Sequence, residues 1–453
     1  MSTAQTEPLE GSFFGTERIW RILLRIAPPV MLAQLIQAMY NIVDSFFVGR
    51  YSGDALTALT VIYPLQLVEI ALAVGTGVGV NTYMARKFAQ GRQRDADGAA
   101  GTGMVLAVIS WAVFALVSVL IMRPYVRTSA TSPAAIEDAV TYGTIVCAGS
   151  IGVFLEGNWT KVHQARGNMR LPMIAQIVGA LTNIVFDPLL IFGIGPFPAM
   201  GVAGAAWATV LGQVTAAVIT GVGGFRRPPS VKRMLHYAGR IYHYGYSSIA
   251  MQLLYTVYIV GLNVILAGFS DAAVTVLGLY YKLQSFFFIP LFGLQTCIVP
   301  VLSFNYTRGA YARCREIMRE SLLVSAGFMV LGIAAFWFFP VPMMKIFSRS
   351  EEVFAIGRVA FRVIGACFLP VAVSLMMPVF FQAIGEGGLS LLLSVTRQVV
   401  CLVPIFWALS RLGLDYAWLS FPISETVTGG IGLILYLREV RKWRRLGEGR
   451  TLA

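Results

Sequence analysis

Asp44 and Asp187 are carboxylates set inside apolar stretches long enough to cross a membrane. An ionisable side chain there costs about 2.5–3.5 kcal/mol on insertion scales and by default marks an ion or proton path. Asn183 precedes Asp187 by four residues, so both point from one helix face. Pro188 follows at once and frees a backbone carbonyl one turn back. Counting inward at helical rise, Asp44 lies roughly 9 Å from Arg50 and Asp187 roughly 12 Å from Gly195, so the two acids share a level. Thr209, on a later apolar stretch, reaches a similar depth. Carboxylate, amide oxygen, hydroxyl and freed carbonyl are hard oxygen ligands that suit a small cation, and Na+ is a candidate at Asp44, Asn183, Asp187 and Thr209. Two nearby carboxylates can equally hold a proton between them, so Na+ and H+ stand as equal alternatives. The plainer reading of Asn183 and Asp187 is a polar tie between helices.

Other polar residues within apolar stretches have weaker claims. Glu69, Gln34, Gln252, Tyr281 and Lys282 are candidates to line a substrate cavity. Gln34 and Gln252 serve equally as interhelical hydrogen-bonders, and Lys282 equally well reaches out of the membrane. Arg397 and Glu425 fall at comparable depths on consecutive helices, and a structural ion pair is the better reading. The three histidines are scattered, and the five cysteines include no CxxC pair, so neither a metal site nor a disulfide framework is expected.

The elements that position these residues follow from composition. Hydrophobic residues make up 57% of 453 positions and charged residues only 13%, which excludes a soluble enzyme, a secreted disulfide scaffold and a disordered chain. Twelve apolar segments can be drawn, at 20–49, 55–88, 99–122, 137–163, 171–195, 199–224, 241–268, 273–305, 320–344, 353–384, 388–410 and 414–437. Several exceed 25 residues, so kinks, tilt or extension past the bilayer are expected. The fold class is therefore an all-α polytopic membrane protein. The net charge of +13 is spread over short loops, which argues against nucleic acid as a partner and for the lipid bilayer. Alternate loops carry 25 Lys and Arg on one side and 6 on the other, with Arg349 among the 6. That bias places both termini in the cytoplasm. The N-terminus has no basic region of the kind that opens a cleavable signal peptide.

The second half repeats the first at a constant offset of 218 residues. Gln34, Tyr40, Tyr63, Gln66, Gly75 and Gly91 match Gln252, Tyr258, Tyr281, Gln284, Gly293 and Gly309, and Gln164-Ala165-x-Gly167 matches Gln382-Ala383-x-Gly385. Two pseudo-symmetric six-helix lobes follow, residues 1–224 and 241–453, joined by a basic cytoplasmic linker at 225–240. Parallel repeats of this kind are a transporter architecture. The acids break the repeat: the mate of Asp44 is Leu262 and that of Asp187 is Ile405.

The run Pro28-Pro29 … Gln37-Ala38-Met39-Tyr40-Asn41-Ile42-Val43-Asp44-Ser45-Phe46-Phe47-Val48-Gly49 resembles the first helix of the multidrug and toxic-compound extrusion family. Asn183-Ile184-Val185-Phe186-Asp187-Pro188 resembles its fifth, and Gly201-Val202-Ala203-Gly204-Ala205-Ala206-Trp207-Ala208-Thr209 its sixth. The resemblance covers essentially the whole chain. It implies a cation-coupled antiporter, driven by Na+ or H+, that exports organic cations, drugs or other amphipathic compounds by alternating access, with no cofactor besides the coupling ion. It implies coupling in the N-terminal lobe through Tyr40, Asp44, Asn183, Asp187 and Thr209, and a bending proline at Pro29. Spacing from Gly167 carries a fourth-helix ligand onto Thr160, with Asn158 half a turn away. The expected setting is the cytoplasmic membrane of a bacterium or archaeon, with the protein working as a monomer. A flippase for a lipid or lipid-linked oligosaccharide is the alternative within the same superfamily. No HExxH, GxSxG or phosphate loop supports an enzyme.

Overall fold

A computed structural model describes residues 13–127, 132–346 and 350–450. Residues 1–12 of the expected first lobe, and Arg349 of the charge count, lie outside the described residues. Helix accounts for nearly everything described. Ten single helices are long and apolar enough to cross a membrane, and two bent pairs each supply one further span. In chain order the first lobe contains α1 (Ile19–Tyr51), α2 (Gly53–Ala89), α3 (Gln93–Arg127), α4a (Pro133–Gly149) with α4b (Ile151–Ala165), α5 (Arg170–Phe192) and α6 (Val202–Gly224). The second contains α7 (Val231–Ala267), α8 (Asp271–Thr307), α9 (Tyr311–Phe338), α10a (Glu351–Gly365) with α10b (Phe368–Ile384), α11 (Gly387–Ser410) and α12 (Ser420–Arg450). The outer face of α3 shows why the elements need lipid. Ile109, Val113, Leu116 and Leu120 follow helical spacing and are 53, 58, 62 and 70% exposed, a stripe that hydrocarbon solvates and water does not.

The 218-residue repeat is visible in local geometry. Ser52 caps α2 by accepting from the Ala55 amide at 2.9 Å, and its mate Ser270 caps α8 by accepting from Ala273 at 3.2 Å. Gly91 and its mate Gly309 adopt φ of 70° and 71° in the turns after these helices, where a side chain would be strained. The bends also correspond. The fourth span turns by 40° between Gly149 and Ile151, and the tenth by 56° between Gly365 and Phe368. At each bend a side chain bonds a carbonyl three residues back, Ser150 Oγ to Cys147 at 2.8 Å and Cys367 Sγ to Ile364 at 3.0 Å. These are the kinks that the over-long segments foreshadow.

Two compact units form, and they cut the chain elsewhere than the duplication does. The first comprises the described part of residues 1–16 with 28–252, and the second comprises 17–27 with 253–453. The start of α1 therefore packs with the second unit, where Ile26 O accepts from Cys297 Sγ at 3.3 Å and Glu17 O from Arg313 at 2.7 Å. The stretch of α7 up to Gln252 packs with the first. There α2 and α7 touch through backbone: a Cβ on Gly75 would meet Ile249 N at 2.8 Å, and one on Gly245 would meet Gly75 O at 2.8 Å. The core of the first unit mixes small residues such as Ala55, Ala58 and Ala205 with Phe114 and Phe154. The second unit is filled by rings, with Phe336 stacked on Phe361 at 5.0 Å and Phe368 edge-on to Phe288 at 5.0 Å.

Candidate functional site

The site is built where α5 meets α6. Gly179 and Gly212 let the two helices approach until each backbone packs on the other, so side chains one turn along each helix come into contact. Asn183 donates from Nδ2 to Thr209 Oγ1 at 3.4 Å. Tyr40 from α1 and Tyr142 from α4a lie near the Thr209 hydroxyl. Asp44 and Asp187 are near neighbours. All of these groups belong to the first compact unit. Asp44, Asn183, Asp187 and Thr209 are 7, 1, 0 and 3% exposed, so water does not compensate them.

The polar accounting of this cluster is lopsided. Asp44 Oδ1, both carboxyl oxygens of Asp187 and Asn183 Oδ1 are buried acceptors with no donor among the described residues. Buried polar atoms are normally satisfied, and four orphaned acceptors on three neighbouring side chains call for something positive. Among the described residues no three His, Cys, Asp or Glu side chains gather as a metal-binding group. A small cation would therefore rest on two carboxylates and neutral oxygens.

Five of the expected coupling residues thus come together: Tyr40, Asp44, Asn183, Asp187 and Thr209. Asn158 and Thr160 do not join them. Thr160 Oγ1 donates to Glu156 at 2.6 Å, and Glu156 lies near Gln176, which precedes Asp187 by eleven residues on α5. Eleven residues of helix are about 16 Å. Asn158 is buried against Gly103, with its amide unpartnered among the described residues. The fourth span contributes Tyr142 instead, from the other side of its bend. Sequence reasoning passed over Tyr142, although the test that singles out the acids applies to it, since its mate is Ala360.

The remaining candidates are dispersed. Glu69 is buried within the first unit, and its Oε2 has no donor among the described residues. Gln34 and Gln252 are both half-buried. Tyr281 and Lys282 belong to the second unit, Tyr281 in ring contact with Tyr258 at 6.2 Å and Lys282 exposed. Pro28 and Pro29 lie inside α1 directly after the unit boundary. The expected ion pair of Arg397 and Glu425 is present and buried, with Nη2–Oε1 at 2.7 Å and Nε–Oε1 at 2.9 Å. It sits on a π-helical stretch at Thr396–Leu402, and Glu425 also accepts from Ser374.

A family model described as MatE matches residues 29–189 and again 247–407, two stretches displaced by the same 218 residues. The chain belongs to the MatE family. The FAD transporter of Shewanella oneidensis is 24% identical over 422 residues, spanning 91% of this chain and 93% of that protein. A probable multidrug resistance protein NorM of Thermotoga maritima is 23% identical, spanning 93% of each. Among solved structures, an outward-facing multidrug resistance MATE family transporter superposes with a TM-score of 0.89 at 21% identity, covering 97% of this chain and all of the other. A MOP superfamily transporter from Pyrococcus furiosus superposes equally well at 22% identity. This MatE chain is thus a multi-pass membrane protein with the twelve-helix fold of a multidrug efflux family, and not an enzyme.

Proposed function

We propose that this MatE chain is an antiporter in which Na+ or H+ binds at Asp44, Asp187, Asn183 and Thr209 and drives export of organic cations and other amphipathic compounds by alternating access. The four buried acceptor oxygens without a donor carry this reading. A proton shared by the two carboxylates, or a small cation among all four oxygens, supplies the missing positive charge. In this reading Tyr40 and Tyr142, near Thr209, help to shape that site. Pro28 and Pro29 remove two amide donors from α1 next to the unit boundary, which supports a hinge there. In this reading 1–224 and 241–453 act as the two transport lobes, joined by 225–240, in a monomer. Gln34, Glu69, Gln252, Tyr281 and Lys282 are proposed as cargo-facing residues.

The excess of basic residues on one side supports a cytoplasmic membrane of a bacterium or archaeon with both termini inside. Cationic cargo is favoured because, among the described residues, Asp44, Glu69 and Asp187 form no ion pair, whereas Arg397 is already neutralised by Glu425. A lipid flippase needs the opposite balance, a cationic cavity for phosphorylated headgroups.

Proteoliposomes holding the full chain test this reading under an imposed Na+ gradient at fixed pH and, separately, a pH gradient without Na+. Ethidium and FAD serve as alternative cargoes. Ethidium movement driven by one gradient is expected, and it should disappear in Asp187→Asn. Transport indifferent to both gradients overturns the coupling, and export of FAD but not ethidium overturns the cargo class.

A further inference from the structure

The basic end of the first unit holds a cavity that the ion site does not use. It measures about 560 Å³, the size of a small-molecule pocket. Its floor is aromatic. Tyr83 of α2 lies 6.0 Å from Tyr237 and 6.4 Å from Tyr244 of α7, centroid to centroid. Lys87 Nζ stands 5.1 Å over the Tyr83 ring, and the Arg86 guanidinium 4.7 Å over Tyr244, which ties the floor to α2. The rim is cationic, formed by Lys87, Lys232, Arg233 and Arg240. Arg233, Tyr237, Arg240 and Tyr244 recur at helical spacing on one face of α7, and Tyr83 and Lys87 on one face of α2. The glycine contacts between α2 and α7 hold those faces together.

The charge here is unbalanced. Among the described residues Asp95 is the one carboxylate lining the cavity, and it is already engaged by Arg92 Nε at 2.5 Å and the Tyr237 hydroxyl at 2.8 Å. Lys87 donates to a neutral acceptor, Gln90 Oε1 at 3.1 Å. Among the described residues, Lys87, Lys232, Arg233 and Arg240 form no ion pair. Basic loops that only fix membrane orientation need no concavity and no tyrosines between their charges. Four converging cations with aromatic faces and hydroxyls beneath them suit a ligand of a different kind. Guanidinium and ammonium groups match phosphate oxygens, and the rings offer a platform for the group that the phosphate carries.

We propose that this pocket binds a phosphate-bearing anion, with Arg233 and Arg240 holding the phosphate and Tyr83, Tyr237 and Tyr244 supporting the attached organic part. The headgroup of an anionic phospholipid and a soluble organic phosphate offer the same chemistry, and two arms of one experiment separate them. The full chain is purified into nanodiscs of phosphatidylcholine, and its unfolding temperature is followed as ATP or pyrophosphate is added. In the other arm the discs contain phosphatidylglycerol, and native mass spectrometry reads the lipid retained by the released protein. The variant Lys232→Ala/Arg233→Ala/Arg240→Gln alters only exposed side chains, and its unfolding temperature without ligand reports its fold. Stabilisation by ATP or pyrophosphate assigns a soluble ligand, and retained phosphatidylglycerol assigns the lipid. In either case the variant should bind at least about tenfold more weakly. Arg240→Lys, which keeps the charge, should recover part of the loss. If the wild type and the folded triple variant behave alike in both arms, the pocket holds no such anion.

Discussion

Gly179 and Gly212 each occupy the space that the other's side chain would need: a Cβ on either would meet the carbonyl oxygen of the other at 2.7 Å. Asn183 follows Gly179 by one turn and Thr209 precedes Gly212 by one. The contact between the two polar side chains is thus set by two residues that have none.

Gly212→Ala should push α5 from α6, since its methyl would also sit 3.1 Å from Asn183 Cβ. Overpacking of this kind costs about 1–3 kcal/mol. The expected result is a lower unfolding temperature in detergent together with lost coupled transport. Unchanged transport in a destabilised variant would separate the helix contact from the site.

Asp187→Asn and Asp44→Asn should each reduce gradient-driven export to background while membrane insertion stays normal. The double variant should be no worse than either single one, because the two acids serve one site. Gradient-driven export retained by either well-inserted single variant in proteoliposome assays would remove that acid from the coupling site.

Thr209→Val removes the hydroxyl that accepts from Asn183 and keeps the shape. Loss of that buried hydrogen bond should raise the half-saturating concentration of the coupling ion about tenfold. Thr209→Ser should restore most of it, and Tyr142→Phe should show a smaller loss in the same direction. Asn158→Ala and Thr160→Ala should leave this concentration unchanged.

The Arg397–Glu425 pair offers a stability test. Arg397→Leu leaves a buried carboxylate alone and should cost about 3–5 kcal/mol, whereas Arg397→Leu/Glu425→Leu should recover much of that. Unfolding temperatures of the purified single and double variants decide the matter. A double variant as unstable as the single one would show that Arg397 matters through other contacts.

Much of this was legible in sequence because a membrane imposes simple rules. Helix lengths, the side preference of Lys and Arg, and the expense of Asp44 and Asp187 all follow from hydrocarbon as solvent. The repeat added a comparison within the chain, which separated Asp44 and Asp187 from residues present in both halves. The fourth span was harder to read, because a count back from Gly167 runs along α4b only and reaches Thr160 and Asn158. The span bends further on, between Gly149 and Ile151. Tyr142 stands beyond the bend, where helical phase no longer carries over. The cavity above Tyr83 and Tyr237 was out of reach for another reason, since the loop charges around it read as topology signals until α2 and α7 are brought together.

The mismatch between repeat and compact units also bears on how such a protein is made. Residues 17–27 complete the second unit and 231–252 complete the first. Each genetic half lends a helix segment to the other, as partners do in a domain-swapped dimer. A ribosome that has finished α6 has therefore not yet made the surface that covers Gly75 and Gly79, and the start of α1 waits for Cys297 and Arg313. The stretches matched by the family model, 29–189 and 247–407, are equal in length, but the halves that hold them cannot mature one after the other. Severing the chain between Arg227 and Val231 should yield two fragments that are unstable alone and complement each other only when produced in the same membrane.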